Sequence, residues 1–151
     1  MSSLTQVSRL HAALARGLDH LRPWLLLGTR LWVSWQFLKS GWLKLTTWDV
    51  TLELFRSEYQ VPVLPPTLAA ICGTFGELFF PILLVLGLFT RVGALGLFAV
   101  NAMAVVSYWQ VLGSEGYEGA LAQHVLWGYM IAVIAVFGGG KFALDEKRPG
   151  S

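Results

Sequence analysis

The sequence predicts an all-α membrane protein: a bundle of four transmembrane helices, with an N-terminal amphipathic helix before it and a short amphipathic helix in its first outer loop. Three observations lead there. Of 151 residues, 55% are hydrophobic and 13% charged, against about a quarter charged in an average soluble domain, and mean hydropathy is +0.59. The apolar residues gather in four blocks of roughly the 20 residues that a spanning helix needs, more than a chain of this size buries in a soluble core. Two further stretches repeat their apolar residues at helical spacing.

The first of those stretches is residues 1–22. Leu4, Val7, His11, Leu14, Leu18 and Leu21 recur along one face, with Arg9, Arg16 and Asp19 elsewhere on the wheel, the pattern of a helix lying in the membrane interface. Its apolar residues are dispersed, with no small-residue cleavage site behind a compact apolar core, so no signal peptide is expected. Residues 23–145 form the transmembrane domain. Its spans are expected at about 23–45, 68–89, 92–112 and 120–138, and residues 146–151 form a cytoplasmic tail.

Between the first two spans, Trp48, Leu52, Phe55 and Tyr59 follow helical spacing, with Asp49, Glu53, Arg56 and Gln60 one position further on. This predicts the short amphipathic helix, which Pro62, Pro65 and Pro66 then stop. Thr90 and Arg91 leave hardly any loop between spans two and three, making them an antiparallel hairpin in which Gly73, Gly76, Gly93 and Gly96 permit close approach. Arg9, Arg16, Arg22, Arg91, Lys141, Lys147 and Arg148 fall on one side of these spans, which places both termini in the cytoplasm.

The charges also exclude function classes. A net charge of +2 without a basic cluster gives no nucleic-acid footprint. Cys72 is the single cysteine, so dithiol chemistry would need a partner's sulfur, and Cys72 itself reads as an inert packing residue. No nucleophile elbow, P-loop or dinucleotide fingerprint occurs. His124 is the one histidine inside the spans, which gives metal or haem no ligand set within the chain.

Ionisable groups within hydrocarbon are costly and need a partner or a purpose. Glu77 lies near the middle of span two, where Pro81 also frees its backbone carbonyl, and Arg30 lies inside span one. The two are read either as an ion pair holding the bundle or as the ligand or proton site, with Glu77 and Arg30 as its chemical groups. Asn101, Ser34, Lys44 and His124 complete the polar faces around a narrow cavity as candidate cofactor-binding residues. His124 alone reads as a hydrogen-bonded interface residue. Lys39 is expected to snorkel, and Trp24, Trp42, Trp48 and Trp109 to form an interfacial belt.

The order of Arg30 to Phe37, Ser40, Gly41 and Lys44, then Glu77, Gly87, Leu88 and Thr90-Arg91, then Gly138-Gly139-Gly140-Lys141-Phe142-Ala143-Leu144-Asp145 resembles the DoxX family over residues 22 to 146. Gly139 and Ala143 depart from that family's usual ending. The stretch from Trp48 to Pro66 is similar to the branch encoded beside bufferin-type metal-binding peptides and their iron-dependent modifying enzymes. The resemblance implies a four-helix inner-membrane subunit linked to redox or thiol stress, with a quinone as cofactor and redox or peptide-modifying proteins as partners. A non-catalytic scaffold and a small permease remain as alternatives, the permease requiring at least a homodimer.

Overall fold

The computed structural model describes residues 3–145, so the expected tail at 146–151 lies outside the described residues. Six helices follow one another: α1 (Ser3–Thr46), α2 (Trp48–Ser57), α3 (Pro66–Leu86), α4 (Thr90–Ser107), α5 (Trp109–Leu112) and α6 (Glu118–Phe137). No strand occurs among the described residues. α3, α4 and α6 are long and apolar enough to cross a membrane. They pack α3 on α4 and α4 on α6, and the second half of α1 covers α3 and α6.

α1 differs from the expectation of two helices meeting near Pro23. It runs unbroken for 44 residues with Pro23 inside it. Proline leaves the carbonyl four residues earlier without its N–H. Here that residue is the exposed Asp19, whose carbonyl water can satisfy. Beyond Pro23, one face of α1 turns inward with Leu26, Arg30, Val33, Ser34, Phe37 and Gly41 buried. Val33 and Phe37 meet Leu84, Ala94, Leu97, Ile131 and Ile134 in the main core.

α3 starts with Pro66 in its first turn, where a missing N–H costs nothing. It ends on Gly87 in the left-handed region, φ 68°. Gly87 N–H donates to the Leu84 carbonyl and Leu88 N–H to the Leu83 carbonyl, a Schellman closure. α4 begins two residues later, and Phe89 offers it no side-chain cap. The carboxylate of Asp145 does so from the far end of the chain, accepting from the backbone N–H groups of Phe89 at 2.9 Å and Thr90 at 2.7 Å and from the Thr90 hydroxyl at 2.8 Å. Asp145 N–H donates in turn to the Gly87 carbonyl. The segment after α6 thus folds back over the α3–α4 turn.

The third expected span is interrupted. α4 stops at Ser107, whose carbonyl accepts from Gln60 N–H at 2.8 Å, and the remainder becomes the separate turn α5. α2 buries Thr51 and Phe55, with Phe55 against Ala69 and Ala70. Outside the bundle, Ile71, Phe75, Phe79, Ile82, Val92 and Leu95 are exposed. An apolar outer surface of this extent marks a membrane or protein contact.

Gly87 is backed by the Ala143 Cα, which an added Cβ would meet at 2.5 Å, whereas Gly119 faces open space. Gly87→Ala is expected to cost about 1–3 kcal/mol from backbone strain alone, more with the clash. Gly119→Ala is expected to be neutral or slightly stabilising. Thermal unfolding of the two variants in detergent checks the contrast.

Candidate functional site

Glu77 stands eleven residues after Pro66 and nine before Leu86, about 14–17 Å from either end of α3 at 1.5 Å per residue. Its partner comes from the last turn of α1. Lys44 Nζ donates to both Glu77 carboxylate oxygens at 2.7 Å and to Ser40 Oγ at 2.9 Å. All three ammonium hydrogens therefore have acceptors. The approach depends on Gly41, where a Cβ would lie 3.0 Å from Glu77 Cβ and 2.9 Å from Leu78 Cγ. Ser40, Gly41 and Lys44 thus serve one contact: hydroxyl acceptor, close approach and cation.

The expected Glu77–Arg30 pair does not form. Arg30 lies level with Val85, eight residues or about 12 Å further along α3. It is buried there, donating from Nη1 to the Gly139 carbonyl at 2.6 Å and from Nη2 to the Val85 carbonyl at 3.3 Å. Gly139 admits it, since a Cβ there would fall 2.9 Å from Nη1. Arg30 Nε and the buried Ser34 hydroxyl one turn on find no hydrogen-bond partner among the described residues.

Asn101 also turns away from Glu77. It donates from Nδ2 to the His124 carbonyl at 3.0 Å, and its Oδ1 is 2.8 Å from His124 Nδ1. The His124 ring meets Trp127 edge-on at 5.0 Å. Gly128, whose added Cβ would lie 3.3 Å from Asn101 Nδ2, leaves room for this α4–α6 link. The six expected site residues therefore fall into three groups: Lys44 with Glu77, Asn101 with His124, and Arg30 with Ser34.

The first group lines a cavity of about 290 Å³, near the lower end of small-molecule sites. Tyr59, Cys72, Val100 and Met103 also line it. Its rim includes the exposed Cys72, Ala99 and Met103, so it opens sideways on the apolar outer surface. Cys72, expected to be packed inside, is thus exposed on the cavity wall. Spacing gave no sign of this, because five residues set Cys72 about 140° round α3 from Glu77. Among the described residues no three His, Cys, Asp or Glu side chains gather as a metal would require.

Aromatic rings close the end of the cavity next to α2 and α5. Phe55 and Tyr59 lie 4.6 Å apart and Tyr59 and Tyr108 4.8 Å. Burial, then the charges of Glu77 and Glu58, push Tyr59 above the usual phenol range. Tyr108 donates its hydroxyl to Glu58 at 2.9 Å, and chiefly that bond pushes it up to about 12. Gln110 Nε2 donates to the Glu58 carbonyl, so the end of α2 is held to α5.

Three helices long and apolar enough to cross a membrane, with a charge pair set between α1 and one of them, mark a multi-pass membrane protein. Residues 25–110 match the DoxX family model, and the chain belongs to the DoxX family. The match runs from the second half of α1 into α5. Comparison with curated proteins and with solved structures gave no match.

Two outcomes follow. Lys44→Met strands a buried carboxylate and is expected to cost about 3–5 kcal/mol, most of it recovered when Glu77→Leu is added, as unfolding in detergent reads. Tyr108 has its folded-state value raised, so the protonated hydroxyl stabilises the fold. That contribution is full below about pH 10 and lost as pH rises toward about 12. Phenolate absorbance should place its ionisation there, and Glu58→Gln should bring it down.

Proposed function

We propose that residues 23–46 of α1 make a fourth span, with both termini cytoplasmic in a bacterial inner membrane, and that the cavity beside Lys44 and Glu77 receives a quinone headgroup. The orientation rests on Arg9, Arg16, Arg22, Arg91 and Lys141 sharing one side, as the positive-inside rule requires. The observation that carries the ligand reading is a buried ion pair halfway along α3 on the wall of a side-opening, mostly apolar cavity. Intramembrane charge marks function by default. A lateral opening suits a ligand dissolved in the bilayer.

In this reading Lys44 donates a hydrogen bond to a quinone carbonyl, and Glu77 is the carboxyl group through which a proton passes when the quinone is reduced. The quinone supplies the redox chemistry. Arg30 and Asn101 hold the bundle around the pocket, and electrons come from a redox or thiol-linked partner protein. A scaffold reading has its own support. Every Lys44 donor is already satisfied within the chain, as in a pair that serves only to join α1 to α3.

Short-chain ubiquinone binding to the protein in nanodiscs separates the two. Ala104→Phe, which fills the cavity without touching the pair, and Glu77→Gln are each expected to weaken binding at least about tenfold, ~1.4 kcal/mol. Undiminished binding in both overturns the quinone reading. The exchange Lys44→Glu with Glu77→Lys keeps the ion pair, so full cellular activity in that variant favours the scaffold.

A further inference from the structure

The face of α1 that the bundle does not use carries a strict repeat. Val7, His11, Leu14, Leu18, Leu21, Leu25, Gly28, Trp32 and Trp35 alternate steps of four and three residues, and all nine are exposed. Val7, Leu14, Leu18, Leu21 and Leu25 are 57–72% exposed. Lys39 takes the next position and ends the apolar series.

A period of 3.5 residues is the period of a helix–helix seam. On one straight helix it drifts about 20° per heptad, and a left-handed wrap of a second helix absorbs the drift. Leu10 and Trp24 are exposed off this line, but only the line itself continues without a break from Val7 to Trp35. The continuity of α1 through Pro23 also sets residues 3–22 on from the spanning half rather than bent from it into the membrane plane. In water, that part of the seam exposes side chains that need a cover.

Charge permits a second copy as the cover. Arg9 and Arg16 sit on the side of the helix opposite the seam, so two seams meet without like charges facing each other. Two copies with the same membrane orientation present their seams in parallel and at equal height, and each residue then faces its own counterpart. Gly17 and Gly28 have open space around them, leaving room for a neighbouring backbone.

We infer that the free face of α1, from Val7 to Trp35, pairs with the same face of a second copy of this chain as a parallel two-stranded coiled coil. The pairing rests on α1 entering the membrane as the fourth span, not on any ligand. His11 meets its counterpart at the one polar seam position outside the bundle, where a polar residue fixes register at a cost in stability.

The test uses the full chain in membrane vesicles with Cys72→Ser and one introduced cysteine. Under copper-phenanthroline oxidation, Leu14→Cys or Leu18→Cys is expected to form disulfide-linked dimers at least about tenfold faster than Arg9→Cys or Arg16→Cys, since a disulfide needs Cβ atoms within about 4.5 Å. In a Leu14→Cys background, His11→Leu is expected to raise the dimer fraction. Equal cross-linking on both sides, no cross-linking, or seam cysteines shielded from maleimide without dimer formation would overturn the pairing. Labelling of Arg16→Cys by impermeant maleimide in sealed vesicles reads the membrane orientation separately, so a failed span assignment is distinguishable from a failed seam.

Discussion

The contact between Lys44 and Glu77 sets the geometry of the bundle. A carboxylate halfway along an apolar helix is tolerable only with a partner, and the partner must come from a neighbouring helix at that depth. Gly41 lets α1 come close enough, and Lys44 sits in the last turn of α1. Once the pair forms, α1 has to end near the midpoint of α3. The first half of α3 is left without α1 beside it, and α2 fills that place by setting Phe55 on Ala69 and Ala70. The cavity is the space that this substitution leaves, because ten residues of α2 cover less than a continued α1 would.

The opposite end is closed by a different device. Arg30 is a buried cation that donates to two neutral carbonyls, of Gly139 and Val85, and the charge of Asp145 acts on it through space. Asp145 itself caps α4 and bonds back to Gly87. The chain end, the α3–α4 turn and α1 therefore form one assembly. Its parts explain each other: Gly139 is small because Arg30 lies against it, and Gly87 is small because Ala143 does.

The elements were legible in the sequence because each carries its own signal. Apolar blocks marked α3, α4 and α6, a helical repeat marked α2, and the prolines before residue 67 marked the break between α2 and α3. Two boundaries were not legible. Pro23 carried a local stop signal that solvent exposure of the Asp19 carbonyl overrode, and the end of α4 depends on Gln60, which is distant in sequence. The intramembrane polar residues stood out in the sequence, yet their pairing did not follow from it. Opposite charge alone favoured Arg30 with Glu77, but partner choice depends on the register between α1 and α3, which periodicity does not encode. The spacing of Ser40 and Lys44 around Gly41 was the better guide.

The same register bears on how the pair could act on a ligand. A lysine whose three hydrogens are all taken can serve a carbonyl only by giving up Ser40 or one carboxylate oxygen. Giving up Ser40 is the lesser loss, since the hydroxyl is neutral whereas a bond between ions is roughly twice as strong. Ser40 is only partly buried, and its hydroxyl can turn to another acceptor as Lys44 leaves it. The ion pair can thus remain closed while one ammonium hydrogen is released toward the cavity. Holding two helices and meeting a ligand are then compatible roles for one lysine, with Ser40 as the group that yields.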